Sequence, residues 1–149
     1  MIFVRQENFL KEEIINMKKT FIIDQSIALQ VGNAYYDLHN MYDFMALHIK
    51  PKESLVVMKF KKTLHVSMDK PHQIQLPFND VDFLEISSKI MQVKTMNLSE
   101  IGYKYPEDND LDWLLNEDEN SIVNHMIFRF EGDEYIRIHS KKVNLDFIG

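Results

Sequence analysis

The chain has 149 residues, 45% of them hydrophobic and 27% charged, and carries six net negative charges. It has no cysteine, which excludes disulfides, thiolate nucleophiles and thiolate metal ligands. No apolar run approaches the roughly 20 residues that cross a bilayer, and the acidic balance argues against direct nucleic-acid binding, which needs clustered Lys and Arg. One domain spanning residues 1–149 is expected at this length. Met1-Ile-Phe-Val is followed at once by Arg5, Glu7, Lys11, Glu12 and Glu13, unlike a signal peptide, so the expected location is cytoplasmic.

Residues 1–16 admit two readings. Phe9, Leu10, Ile14 and Met17 fall at helical spacing, which predicts an N-terminal amphipathic helix. Alternatively, Lys11-Glu12-Glu13 can be encoded as a bacterial ribosome-binding sequence, with synthesis starting at Met17 just before the strand-like Lys18-Lys19-Thr20-Phe21-Ile22-Ile23.

From Phe21 onward period-two alternation dominates. Strands are predicted around Ile27–Val31, Met45–Ile49, Val56–Phe60, Leu64–Met68 and Ile74–Phe78. Pro77 places the last of these at an edge or a strand end. Asn79-Asp80 reads as a link to a further strand over Val81–Ser87, followed by Val93–Leu98, His125–Phe130, Tyr135–His139 and Val143–Phe147. About ten short strands with tight links predict a mainly β fold, with α+β as the alternative: an antiparallel sandwich or open, curled barrel with one or two short helices. The aromatic residues Tyr35, Tyr36, Tyr42 and Phe44 read as packing, or as the lining of a pocket.

Gly132-Asp133 marks a hairpin between His125–Phe130 and Tyr135–His139. The apolar pattern favours a register with Phe130 opposite Ile136 and Phe128 opposite Ile138. That register would set Arg129 and Arg137 side by side on the outer face, where an anion would relieve their repulsion. The candidates are Glu131 or Glu134, the acidic segment folding back, or an external ligand. Arg129, Arg137 and His139 are therefore candidate anion-binding residues.

The negative charge is local. Glu107, Asp108, Asp110, Asp112, Glu117, Asp118 and Glu119 lie in one stretch without a basic residue, around the only tryptophan, Trp113. The rest of the chain has sixteen acids against seventeen Lys and Arg. Asp108 or Asp110 as a cap, with Leu111, Leu114 and Leu115 as an apolar face, predicts a short helix here. Asp108, Asp110, Asp112 and Glu119 match the carboxylate spacing of a calcium loop, but Trp113 stands where the turn requires glycine. The six histidines lack metal-ligand spacing, although strand pairing could bring His125 and His139 together. There is no Gly-x-Ser-x-Gly elbow and no glycine-rich phosphate loop. The residues point to no metal or cofactor.

Two stretches, Gly102-Tyr-Lys-Tyr-Pro-Glu-Asp-Asn-Asp-Leu-Asp-Trp-Leu-Leu115 and Phe128-Arg-Phe-Glu-Gly-Asp-Glu-Tyr-Ile-Arg-Ile-His-Ser140, resemble segments of small bacterial proteins, some of them similar to immunity proteins of polymorphic toxin systems. They cover under a third of the chain. The resemblance implies a noncatalytic inhibitor that neutralises a toxin. Independently, acids around a tryptophan suit capture of a basic protein partner, because opposite fields speed association and Trp is enriched among residues that dominate binding energy. The alternative is a small β-rich enzyme or ligand-binding protein using an Arg/His pocket for an anionic ligand.

Overall fold

The structure, a computed structural model, describes residues 17–64, 66, 69–92, 97–120 and 123–149. Both readings of residues 1–16 lie outside the described residues, as does most of the strand predicted from Val93.

The described residues form eleven strands: β1 (Lys18–Lys19), β2 (Ile22–Asp24), β3 (Ala28–Val31), β4 (Ala34–Asp37), β5 (Tyr42–Lys50), β6 (Leu55–Lys62), β7 (Gln73–Ile86), β8 (Leu98–Lys104), β9 (His125–Phe130), β10 (Tyr135–Val143) and β11 (Asp146–Ile148). The fold is mostly β and antiparallel, without a closed barrel. The larger sheet runs β5-β6-β7-β10-β9-β8, with β1 joined to β10 and β11 to β7. Among the described residues only the β1–β10 pair is parallel. A three-stranded meander, β2-β3-β4, forms a second sheet. Short 3-10 turns occur at Pro51–Glu53, Ile90–Gln92 and Glu117–Glu119. No helix among the described residues is long and apolar enough to cross a membrane.

The larger sheet curls on itself. The Phe44 ring on β5 lies 5.1 Å from the Phe130 ring on β9, although three strands separate them in sheet order. Inside the curl, Met58, Phe60, Ile74, Leu76, Phe78, Met126, Phe128, Ile136 and Ile138 are fully buried. Leu29 of the smaller sheet joins the same core, so both sheets share one apolar interior. Tyr42 is packing rather than pocket lining: it is fully buried, and its hydroxyl donates to the Pro71 carbonyl at 2.9 Å.

Several sequence expectations are corrected. The two strands predicted around Asn79-Asp80 are one, β7, which bends at Asp80, where φ is 56°. Pro77 therefore sits inside a strand. It pairs with Val57 on one side, and its carbonyl accepts from Asn144 N–H on the other. The N–H that proline lacks would have pointed at the junction between β10 and β11, where no ladder bond is lost. In the stretch predicted as a strand from Leu64, that residue lies in a turn and is 97% exposed. The C-terminal hairpin keeps the predicted inward parity but slides by two residues from the favoured register. Phe128 faces Ile136, and Arg129 faces Tyr135. The turn closes with Phe130 N–H donating to the Glu134 carbonyl, leaving Glu131, Gly132 and Asp133 as the loop. Gly132 and Asp133 both take positive φ, so the loop absorbs one residue more than a two-residue turn would. Arg129 and Arg137 are thus not cross-strand neighbours. Arg137 stands opposite Ile127.

Candidate functional site

Strand register sets out the face that carries the acidic segment. On the side of the sheet away from the main core, Gly102 of β8, Ile127 of β9 and Arg137 of β10 form one row. Glu100, Arg129 and Tyr135 form the next. Ile127 is fully buried yet stands apart from the main core cluster. The segment from Tyr105 to Asn116 crosses this face and covers it.

Glycine at 102 makes that approach feasible. A Cβ there would lie 2.6 Å from Leu114 Cβ and 2.8 Å from the Leu115 carbonyl oxygen. Beside it, Tyr103 and Leu115 exchange backbone hydrogen bonds of 2.9 and 2.8 Å, tying the end of the segment to β8. The guanidinium of Arg137, 3% exposed, donates to the carbonyls of Asp108 at 2.6 Å, Tyr105 at 2.8 Å and Pro106 at 3.2 Å, and its Nε donates to His125 Nδ1 at 2.9 Å. Arg129 donates to the Leu111 carbonyl at 3.3 Å and stands near Glu100 and Asp133. The acidic segment does fold back onto these arginines. They grip its main-chain oxygens, not its carboxylates, and the outward anion-binding role expected for Arg137 is corrected accordingly.

The predicted helix at Asp108–Leu115 does not form. Asp108 Oδ1 accepts from Asp110 N–H at 3.3 Å, and Asp110 Oδ1 accepts from Asp112 N–H at 2.8 Å. Such short-range side-chain bonds compete with helical pairing. Trp113 then turns left-handed at φ 61°, which also ends any helical run. The capping residue is further on: Asn116 and Glu119 form a reciprocal capping box around the Glu117–Glu119 turn.

The seven acids divide by what they touch. Glu117 is structural. It accepts from Lys19 Nζ and the Tyr103 hydroxyl, each at 2.7 Å, and from Ile23 N–H at 2.9 Å. Burial pushes its carboxyl up, but these three donors outweigh burial and hold it below the usual range. Burial and the bond to Glu117 push the Tyr103 hydroxyl strongly up. Asp108 and Asp110 share the buried Lys104 ammonium at 3.3 and 3.2 Å. That hydrogen bond, foremost, and the Asp112 N–H hold Asp110 low. The ammonium lies between two of the carboxylates whose spacing suggested a calcium loop. Glu107, Asp112 and Asp118 are exposed and form no ion pair among the described residues, and Glu119 is exposed beside them. Trp113 is 91% exposed.

The two histidines of the hairpin do come close, with ring centroids 5.7 Å apart. His139 Nδ1 meets Asp82 Oδ1 at 2.7 Å. His125 packs at 4.3 Å from the Phe83 ring, and burial first, then Arg137 and His139, bring it down to about 4. No group of three or more His, Asp or Glu among the described residues is placed to hold a metal. Sequence reasoning missed Gly102, Lys104 and Lys19, the residues that hold the segment in place. An isolated glycine within a β-patterned stretch was the one available signal of close backbone approach.

No protein-family model, no curated protein and no solved structure matches this chain.

Proposed function

We propose that this protein is a noncatalytic interaction module that captures a basic protein partner through Trp113 and the displayed carboxylates Glu107, Asp112, Asp118 and Glu119. The observation that carries this reading is the tryptophan. A bulky residue in a left-handed conformation costs roughly 1–2 kcal/mol, and here it is also left 91% exposed on a segment clamped from below. Neither cost is offset by a packing contact of the indole among the described residues, which supports a role for it in contact with a partner. The local negative field supports a basic partner, because steering by opposite charge raises the association rate. An inhibitor of the immunity type is the more specific form of the same reading, and its only support is the sequence resemblance.

The competing reading, an Arg/His pocket for an anion, finds less support. The Arg137 donors are taken by four acceptors within the chain, and His139 is engaged with Asp82.

The test is affinity capture from the native cell lysate with three baits: wild type, Trp113→Ala, and the combination Glu107→Gln, Asp112→Asn, Asp118→Asn. The expected result is one basic protein retained by wild type, lost with Trp113→Ala, and reduced about tenfold by the charge variant at low salt only. Equal retention on all three baits removes the segment from the mechanism.

A further inference from the structure

A cleft of about 600 Å³ opens on the other side of the sheet, between β5 and the far end of β7. Phe44, Leu47 and Ile49 line one wall, and Ile86, Ile90 and Ile136 line the other. A smaller hollow of about 240 Å³ lies between Ile49 and the Val81–Leu84 stretch.

Two strand edges that are unpaired among the described residues border this opening. β5 ends the sheet and pairs only with β6 among the described residues. β7 pairs with β6 as far as Phe78, and one further bond joins Val81 N–H to the Ser54 carbonyl at 2.9 Å. Past the bend at Asp80 the strands part, and from Asp82 to Ile86 the strand partner of β7 among the described residues is β10 alone. Exposed edges of this length are ordinarily blunted by charge, proline or a covering element. β5 carries Asp43 and Lys50 near its ends and a register shift at Met45, but from Phe44 to Ile49 it has no Asp, Glu, Lys, Arg or proline. Met45 and Ile49 are 44% and 47% exposed beside it.

We propose that this cleft takes a single extended peptide segment of a partner protein, which adds as a strand to the free edge of β5 and sets alternate apolar side chains against Ile86, Ile90 and Ile136. Main-chain donors and acceptors along β5 that are unpaired among the described residues call for another main chain. A compact apolar molecule would leave them unmet. A second copy of this chain fits poorly, because its β5 arrives with β6 attached, and the wall of Ile86, Ile90 and Ile136 stands where that β6 would go. A lone strand satisfies both the backbone and the apolar lining. This surface is at the opposite edge of the sheet from β8 and does not depend on Trp113.

The probe is a phage-displayed library of random dodecapeptides, panned on the whole wild-type protein and counter-selected on Ile49→Lys, a half-exposed position where lysine should not prevent folding. Enrichment of peptides with alternating apolar residues is expected. A synthetic copy should slow amide exchange in β5, bind Ile49→Lys and Ile86→Lys about tenfold more weakly, and lose about tenfold when its alternate backbone nitrogens are methylated. Trp113→Ala should bind it as wild type does, which separates this proposal from the preceding one. Failure to enrich any peptide, full binding by the N-methylated copy, or sedimentation as a β5-dependent dimer would each overturn it.

Discussion

Arg137 donates to the main-chain carbonyl of Asp108 at 2.6 Å, so a residue of the second hairpin strand fixes the backbone of a segment about thirty positions earlier. Its other donors reach Tyr105, Pro106 and His125, and the whole fork is buried. Lysine offers a point charge without that fork. Arg137→Lys is therefore expected to lose about 3 kcal/mol of stability by denaturant unfolding, since hydrogen bonds from a charged donor contribute about 1.5–3 kcal/mol each. The variant should also show lower Trp113 fluorescence anisotropy as the segment loosens. Unchanged anisotropy would mean that the clamp is not what orders it.

Gly102→Ala tests the same contact from below. The new methyl meets Leu114 Cβ and the Leu115 carbonyl well inside van der Waals distance, and backbone cannot yield as a side-chain tip does. A loss of about 1–3 kcal/mol is expected, as for overpacking a core. By amide exchange, protection at Tyr103 and Leu115 should fall while protection in β6 stays as in wild type.

The acids should separate by assay. Glu117→Gln leaves Lys19, largely buried, without its counter-charge, and a loss of about 2–3 kcal/mol is expected. Asp112→Asn and Asp118→Asn should change stability by less than about 0.5 kcal/mol, because both side chains face solvent without side-chain partners among the described residues. If Glu117→Gln unfolds at the wild-type denaturant midpoint, its triple hydrogen bonding is not a stabilising anchor.

His125 gives the fold a pH dependence. The unfolded chain takes a proton on this ring near pH 6.5, whereas the folded protein takes it only near 4. Between those values the unfolded state holds more protons, so stability falls as pH drops from about 6.5 to about 4. Glu117, held low in the fold, adds its own loss at still lower pH, as it protonates. His125→Gln keeps a neutral acceptor for Arg137 but does not titrate. Its urea midpoint should vary less than that of wild type across the His125 window, and parallel curves would remove His125 as the source.

The local alternation of apolar and polar residues was sufficient for the strand-rich fold. Ile74, Leu76 and Phe78 or Met126, Phe128 and Phe130 repeat every second position, and burial of one sheet face follows from that period. The helix expected at Asp108–Leu115 shows where such reasoning ends. Capping residues and leucine spacing allowed it, but a strand surface at Gly102 and two distant arginines offered the segment other partners. The hairpin register moved for a similar reason, since a three-residue loop with two left-handed residues competes with the two-residue turn that Gly132-Asp133 suggests.

By itself the sequence determined the β character, the inward parity of most strands and the location of the negative charge, because each depends on residues near one another in the chain. The tertiary structure decided which acids are spent inside the protein and which face water, that Trp113 stands outside, and that β7 leaves β6 past Asp80, with a cleft between its far end and β5. Those outcomes depend on pairings across many tens of residues, and periodicity carries no information about which distant partner wins.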